Sequence, residues 1–276
     1  MKSTRYSRCL EAAMEAARQA GDLMRRNLLS PKKVHATAAH DIKLELDVRC
    51  QRRIERILGP ALPGASLLGE EDVSGDPEPD RFRWVVDPID GTVNYAHGLP
   101  HACVSIALQE RGEPAFCPGD PWSTRVGVVH DPFRNELWTA VRGQAARLNG
   151  RPIRVSDRAQ LRQAIVALGS ARDQASLEAM IERLRLLSPR VRKIRIMGSA
   201  ALDLVYVAAG RLDAYLETGL RLWDIAAGGL ILECAGGEFL CHPLDAASSY
   251  RIWATNGHLR RPIARVFPQE PLPKLS

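Results

Sequence analysis

Apolar positions near the start of the chain follow the spacing of a helix. They lie three, four or seven residues apart, at Leu10, Ala13, Ala17, Met24 and Leu28. This spacing places the side chains on one face of a helix. The pattern predicts an amphipathic helix from Tyr6 to Leu29, which Ser30-Pro31 ends.

A strand and a second helix are predicted next. Ile42, Leu44 and Leu46 alternate with polar residues, which is typical of a strand with one buried face. From Cys50 the apolar spacing becomes helical, and Gly59-Pro60 is expected to end that helix. The pattern leaves the boundary between strand and helix open.

Short β-type segments fill the middle of the chain. Gly, Pro and Asp turns separate them, which favours a largely antiparallel sheet and an α+β first half. The segments are ASLLG, RFRWVVD, ACVSIALQ, RVGVVHD and NELWTAV. After Gly150, strand and helix patterns alternate, which predicts a layered α/β second half.

Composition excludes several classes of protein. With 276 residues, 45% of them hydrophobic and 25% charged, the chain is neither disordered, nor collagen-like, nor a disulfide-stapled miniprotein. The net charge of +6 permits an anionic partner without requiring one. Aromatic residues make up 5% of the chain, so it offers few platforms on which nucleic-acid bases could stack.

Cysteine spacing and hydropathy bear on the compartment. Six scattered cysteines without a CxxC pair favour reduced thiols in a cytoplasmic protein. The N-terminus has no apolar core like that of a signal peptide. The most apolar later stretch, Leu222 to Gly237, is interrupted by Asp224 and Glu233, so no membrane span is expected.

Acidic residues cluster at predicted strand ends and helix starts. They are Glu70, Glu71 and Asp72 after one strand, Asp87 and Asp90 in VVDPIDGT, and Asp224 in LWDIAAGG. Each cluster taken alone is explained by turn chemistry or by helix capping. Taken together, they supply the carboxylate oxygens that Mg²⁺ prefers.

The DPIDGT segment adds two further features. The carbonyl of Ile89 lies between Asp87 and Asp90, so one tight turn offers three hard oxygen ligands. The amides of Gly91 and Thr92, at a predicted helix start, would form an anion site beside these carboxylates. A site for phosphate and magnesium together is therefore expected.

At these residues the sequence resembles the inositol monophosphatase family of magnesium-dependent phosphatases. Its first motif stands here as DPIDGTVN, from Asp87 to Asn94, and its second as WDIAAG, from Trp223 to Gly228. A GEE segment at residues 69–71 and GSAALDLVYVAAGRLDAY at residues 198–215 also match, in order and at suitable spacings.

The resemblance implies a layered αβαβα sandwich of the inositol monophosphatase and fructose-1,6-bisphosphatase type. Residues 1–147 would form the half that carries Glu70 and the DPIDGT motif, and residues 148–276 the half that carries WDIAAG and the substrate contacts. It also implies a homodimer, inhibition by lithium, and two or three Mg²⁺ ions in each active site.

The resemblance implies a metal-ligand set on these positions. Glu70, Asp87 and the Ile89 carbonyl would hold the first magnesium. Asp87, Asp90 and Asp224 would hold the second, and a weaker third ion would lie near Glu70. Departures from the family pattern occur at Leu44, Asp72 and Val93, and Leu44 puts the hydrogen bonding around Asp47 in doubt.

The resemblance also implies catalytic and substrate-binding residues. Thr92, hydrogen-bonded to Asp47, would orient and deprotonate the attacking water, with Glu70 as a further catalytic group, and Gly91 and Thr92 would bind phosphate. The substrate would be contacted by Asp90, Asp224, Glu217, Gly198, Ser199 and Ala200, with Ser170 a looser match.

The leading functional prediction is Mg²⁺-dependent hydrolysis of a small polyol phosphate, with myo-inositol 1-phosphate as the best single candidate. An alternative is a related phosphatase acting on histidinol phosphate, fructose 1,6-bisphosphate or a 3′,5′-bisphosphorylated nucleotide. A third is a regulatory protein that binds RNA or a transcription complex, motivated by the arginine surplus and the basic run from Arg190 to Arg195. Because arginine is spread along the chain, a nucleic-acid partner is the less favoured reading.

Overall fold

The computed structural model describes residues 2–31, 34–38, 41–74, 81–169, 174–244 and 249–268. The elements up to residue 152 are α1 (Lys2–Asn27), β1 (Val34–Ala38), β2 (Asp41–Leu44), α2 (Glu45–Ala61), β3 (Ser66–Gly69), β4 (Val73–Ser74), β5 (Phe82–Asp90), α3 (Thr92–Ala96), β6 (Cys103–Arg111), β7 (Trp122–Asp131), β8 (Glu136–Val141), β9 (Arg147–Leu148) and β10 (Arg151–Pro152).

A 3₁₀ turn at Leu161–Gln163 opens the remainder of the chain. The elements that follow are β11 (Ile165–Leu168), α4 (Gln174–Leu187), β12 (Lys193–Arg195), α5 (Ala200–Ala208), β13 (Ala214–Arg221), α6 (Leu222–Cys234), β14 (Glu238–Pro243), β15 (Ser249–Thr255) and α7 (Arg260–Ala264).

Two sheets organise the described residues, besides the β1–β2 hairpin. The first has eight strands in the order β10-β9-β8-β7-β6-β5-β3-β4, and the second has five in the order β12-β11-β13-β15-β14. In the first sheet every pair is antiparallel except β3 with β5. In the second, β11 runs parallel to both of its neighbours. The predicted, largely antiparallel sheet and the predicted layered α/β second half are both confirmed.

The layers follow from which faces are apolar. Helices α1 and α2 cover one face of the first sheet with a core of small and aliphatic side chains. Helices α5 and α6 fill the space between the two sheets, and α4 and α7 cover the outer face of the second sheet. This order is the αβαβα sandwich expected from the sequence.

Local chemistry shifts two of the predicted boundaries. Leu46 lies in α2 and not in a strand, because the Asp47 carboxylate accepts the Leu44 N–H at 2.7 Å and starts the helix there. Pro60 lies inside the last turn of α2, which continues to Ala61. Strand β5 runs through Asp90, so the DPID turn is its irregular end.

The prediction that all cysteines are reduced is wrong for two of them. Cys117 and Cys241 form a disulfide with a Cα–Cα distance of 5.3 Å, a separation that suits the bond. It joins the loop before β7 to β14 of the other sheet, across 124 residues of sequence. Spacing along the chain could not show this pairing, since the two residues meet only through packing. Cys9, Cys50, Cys103 and Cys234 are free thiols.

Two other expectations concern the chain as a whole. The first sheet continues through β10 at Pro152, a few residues past the predicted division at residue 148, and that division stays a prediction. Among the described helices, none combines the length and apolar character needed to cross a membrane.

Close approach of α6 to the first sheet depends on Gly127 in β7. A Cβ atom there would lie 2.8 Å from the backbone oxygen of Ala227, which cannot move without shifting the helix. We expect Gly127→Ala to lower the free energy of unfolding by about 1–3 kcal/mol through overpacking. Urea denaturation measures the change.

Gly59 provides the matched control. It lies in α2, and a Cβ there would meet nothing within 4 Å. Gly59→Ala is expected to stabilise the protein by about 0.5–1 kcal/mol, because alanine favours the helix more than glycine does. An unchanged stability in Gly127→Ala would mean that α6 does not press on the sheet as described.

Candidate metal centre and active site

Three carboxylates from distant parts of the sequence meet between the two sheets. Asp87 and Asp90 lie at the end of β5, and Asp224 lies in the first turn of α6. One carboxylate oxygen from each lies within 4.8 Å of the others. All three side chains are buried, with exposed fractions of 2%, 7% and 8%. This is the cluster predicted from DPIDGT and WDIAAG.

Backbone hydrogen bonds hold these carboxylates in place. The Ile89 N–H donates to Asp87 Oδ1 at 2.9 Å, and the Arg221 N–H donates to Asp224 Oδ2 at 2.7 Å. The pairing of β5 with β6 shifts register between Asp87 and Asp90. Such an irregularity redirects a side chain at the end of a strand, and here it lets both aspartates join one cluster.

Glu70 reaches the same cluster from β3. This strand runs parallel to β5, and the Glu70 N–H donates to the Val86 carbonyl at 3.1 Å. The Glu70 and Asp87 carboxyl groups share a hydrogen bond. Glu70 thus lies next to Asp87 and close enough to Asp224 for their charges to interact, but the carboxylate oxygens within 4.8 Å of one another come from Asp87, Asp90 and Asp224 alone among the described residues.

Burial and mutual repulsion make this cluster costly when its members are ionised. Burial raises the pKa of Asp87 well above its usual value, and the negative charges of Glu70, Asp90 and Asp224 raise it further. Burial and the charge of Asp224 likewise raise the pKa of Glu70. A divalent cation would neutralise this repulsion, and the ligands are all oxygen, so the residues fit Mg²⁺.

The predicted catalytic pair lies in ordered surroundings. Thr92 Oγ1 donates to the Ile89 carbonyl at 2.8 Å and not to Asp47, so the predicted Thr92–Asp47 hydrogen bond is not formed in this structure, because the nearer backbone acceptor takes the hydroxyl proton. Asp47 is buried in the first turn of α2, where its Oδ2 accepts the Leu44 N–H. Leu44, the departure noted in the sequence, therefore contacts Asp47 Oδ2 through its backbone N–H. The catalytic roles of Thr92 and Asp47 stay predictions.

Gly91 is required by its conformation and by its surroundings. Its φ is +91°, in the left-handed region that favours glycine. A Cβ there would lie 2.9 Å from the His101 carbonyl and 3.2 Å from the Gly198 carbonyl. The predicted phosphate-binding turn is therefore packed directly against the segment that leads into α5.

That segment donates hydrogen bonds to Asp90. The Ser199 hydroxyl, the Ala200 N–H at 3.2 Å and the Ala201 N–H at 2.9 Å all donate to its carboxylate. A carboxylate is stabilised at the N-terminus of a helix. The residues predicted to bind substrate, Gly198 to Ala200, thus lie beside the carboxylate cluster.

Glu217, on β13, lies near a second group of acids. The Tyr215 hydroxyl donates to Glu217 Oε2, and Gly169 leaves no room for a side chain beside the Glu217 carboxylate. The neighbouring Asp203 is 1% exposed, and its Oδ1 has no hydrogen-bond partner among the described residues. Ser170, the looser substrate match, lies outside the described residues.

Two supporting residues were not singled out from the sequence. Asn94 Nδ2 donates to the Met197 carbonyl at 2.8 Å and to the His101 carbonyl at 3.0 Å. Ser105 Oγ donates to the Trp223 carbonyl at 3.1 Å, next to Asp224. Asn94 ends the DPIDGTVN motif, so its position was visible, but its partner Met197 lies 103 residues further along the chain.

Comparison with known proteins agrees with this geometry. The sequence profile of the inositol monophosphatase family matches residues 5–264. The chain belongs to the inositol monophosphatase family. It is 39% identical to inositol monophosphatase 2 of Solanum lycopersicum, over 91% of this chain and 94% of that protein.

Two bacterial relatives carry a different name. The Nus factor SuhB of Xylella fastidiosa is 41% identical, over 83% of this chain and 79% of that protein. The crystal structure of the extragenic suppressor protein suhB from Bartonella henselae superposes with a TM-score of 0.84 at 32% identity, covering 95% of this chain and 98% of that one. The fold of this inositol monophosphatase family member is therefore that of its solved relatives.

The carboxylate cluster predicts an unusual dependence of stability on pH. With raised pKa values the metal-free folded state keeps protons that the unfolded state has lost, so folding stability falls as pH rises from about 4 through the raised pKa values. Asp87→Asn removes one repelling charge. In EDTA, the free energy of unfolding of this variant should exceed that of the natural protein by about 1–2 kcal/mol at pH 8, and by less at pH 5.

Asp157→Asn is the control for this effect, since Asp157 is exposed and far along the chain from the cluster. The free energy of unfolding of this control should stay within about 0.5 kcal/mol of that of the natural protein at both pH values. Excess Mg²⁺ should reverse the order by stabilising the natural protein more than Asp87→Asn. If Asp87→Asn were less stable than the natural protein in EDTA at pH 8, the repulsion described above would be refuted.

Proposed function

We propose that this protein hydrolyses the phosphate monoester of a small polyol with the help of Mg²⁺, and that myo-inositol 1-phosphate is the best candidate substrate. The proposal is supported most directly by the cluster of Asp87, Asp90 and Asp224, in which one carboxylate oxygen from each residue lies within 4.8 Å of the others. Membership of the inositol monophosphatase family supports the reaction class.

The proposed magnesium ligands follow the predicted sets. Glu70, Asp87 and the Ile89 carbonyl hold one ion, Asp87, Asp90 and Asp224 hold a second, and a third lies near Glu70. Bound magnesium neutralises the phosphate dianion, lowers the pKa of a water and stabilises the leaving oxygen.

The protein's own groups position the reactants. In the proposal, the Gly91 and Thr92 amides bind phosphate oxygens at the start of α3, and the Thr92 hydroxyl together with Asp47 accepts the proton of the attacking water. Three donors from Ser199, Ala200 and Ala201 orient the Asp90 carboxylate and favour its ionised form, which opposes the rise in its pKa that burial causes.

The acidic surroundings of Glu217 favour a polyol over a doubly phosphorylated substrate. Carboxylates accept hydrogen bonds from hydroxyl groups but repel a second phosphate. Asp203 lies close enough to Glu217 and Asp90 for both charges to raise its pKa. Fructose 1,6-bisphosphate and a 3′,5′-bisphosphorylated nucleotide are therefore the poorer candidates.

A variant of Asp90 tests the reaction. Asp90→Asn keeps the size of the side chain but removes a charge from the metal cluster, so kcat should fall at least about 100-fold with the fold retained. Phosphate release from myo-inositol 1-phosphate, with and without Mg²⁺, measures it, and circular dichroism checks the fold. Asp157→Asn, a change at an exposed residue, is the control.

If Asp90→Asn kept a tenth of the activity, the assignment of Asp90 as a metal ligand would be contradicted. Lithium gives a separate test. If millimolar lithium did not inhibit the natural protein, the predicted second magnesium site would be contradicted.

The role of Glu217 is tested by comparing two substrates. Glu217→Gln should raise KM for myo-inositol 1-phosphate about tenfold, because it weakens one hydrogen bond to a substrate hydroxyl by about 1.4 kcal/mol. It should leave KM for p-nitrophenyl phosphate, which has no polyol hydroxyls, nearly unchanged. An equal rise for both substrates would place Glu217 outside the polyol site.

A regulatory role is the second candidate, because a relative with 41% identity is named Nus factor SuhB. Filter binding of RNA at two salt concentrations tests it, since affinity for nucleic acid falls steeply as salt rises. The basic run from Arg190 to Arg195 includes the edge strand β12, whose lysine and arginine side chains are exposed.

The homodimer and the cytoplasmic location stay predictions.

A further inference from the structure

An arginine-lined groove lies between α1 and α2, on the outer layer of the sandwich. Its volume is about 430 Å³, and its lining consists of Gln19, Asp22, Leu23, Arg26, Arg49, Arg52, Arg53 and Arg56. All five arginines are exposed. We refer to these residues as the arginine groove.

The arginines on α2 occupy one face of that helix. Arg49, Arg52, Arg53 and Arg56 stand at positions i, i+3, i+4 and i+7, which places them side by side over about 10 Å. The opposite face, with Cys50, Ile54 and Leu58, is buried against the first sheet layer. The row therefore points outward as a continuous strip of positive charge.

This arrangement costs stability in the absence of a ligand. Like charges three and four residues apart on a helix destabilise it by about 0.2–0.5 kcal/mol for each pair. A helix face exposed only to water usually mixes the two signs of charge. A bound negative charge would therefore offset the repulsion among these arginines.

No ion pair within the described part of the chain supplies that counter-charge. Across the described residues, the five groove arginines form no ion pair or side-chain hydrogen bond. Asp22, the acid in the groove lining, pairs with Arg25 at 3.0 Å. Elsewhere arginines are paired, as Arg134 is with Asp131 at 2.9 Å and Arg142 with Glu233 at 2.8 Å.

From this charge and shape we infer that the arginine groove binds a small anion that carries several phosphate groups. Arginine binds phosphate through paired N–H donors. Arg26 on α1 and the row on α2 approach the groove from two helices, and its volume lies within the range of small-molecule sites. The lining contains no aromatic residue on which a nucleic-acid base could stack.

Calorimetric titration with inorganic tripolyphosphate tests the inference. The experiment uses the full chain in EDTA, so that no metal draws phosphate to the acidic cluster. We expect binding at low salt that weakens at high salt. The double variant Arg52→Gln/Arg56→Gln should weaken it at least about tenfold, through the loss of charge-assisted hydrogen bonds.

The matched control is Arg192→Gln/Arg195→Gln, which removes the same charge from two exposed arginines, one directly before the edge strand β12 and one at its end. It should change the affinity less than about twofold. Thermal unfolding adds an independent readout. Without ligand the groove variant should melt no lower than the natural protein, and tripolyphosphate should raise the melting temperature of the natural protein and of the control variant more than that of the groove variant.

Three results would overturn the inference. The first is an absence of tripolyphosphate binding. The second is an equal loss of affinity in both double variants, which would show a diffuse effect of net charge. The third is groove-dependent binding of a 20-nucleotide RNA without binding of tripolyphosphate, which would identify the ligand as nucleic acid.

Discussion

Repulsion among buried carboxylates is the constraint on which the centre of this structure depends. Asp87, Asp90 and Asp224 are held within 4.8 Å of one another, away from water. Such a cluster is tolerated only where protons or cations offset its charge. In the metal-free protein, burial raises the pKa of Asp87 and of Asp90, and the charges of Glu70, Asp90 and Asp224 raise that of Asp87 further. A set of oxygen ligands that repel one another fits a compact divalent cation, because the cation would offset their charge.

The rest of the centre serves to keep the cluster in place. Two layers of the sandwich meet there, and their contact is made by backbone atoms where side chains would not fit. Gly91 lies against the His101 carbonyl, and Gly127 lies against Ala227. Asn94 then links the end of β5 to the carbonyl of Met197 at 2.8 Å. Because each contact joins distant parts of the chain, loss of one would loosen the carboxylates that belong to the other half.

Charge is segregated across the layers of the molecule. Negative charge is concentrated between the two sheets, and positive charge is concentrated in the arginine groove on the outer face of α2. The same helix contributes to both, because Asp47 and Gln51 lie on its inner face. Gln51 donates to the Asp72 carbonyl and accepts the Glu71 N–H, each at 3.1 Å, next to Glu70. Helix α2 is thus in contact with the acidic centre while it presents arginines to the solvent.

The sequence alone determined the elements and the chemistry that are local. Apolar spacing predicted α1 and the strands of the first sheet, and the DPIDGT and WDIAAG motifs predicted the three aspartates that meet in the carboxylate cluster, since each motif is a short, local run of residues. Tertiary structure decided what distant segments do to one another. The Cys117–Cys241 disulfide, the donors to Asp90 from the start of α5, and the pairing of the arginine groove across two helices depend on packing between residues far apart in sequence. Local periodicity cannot encode these contacts, because each is set by how the layers stack.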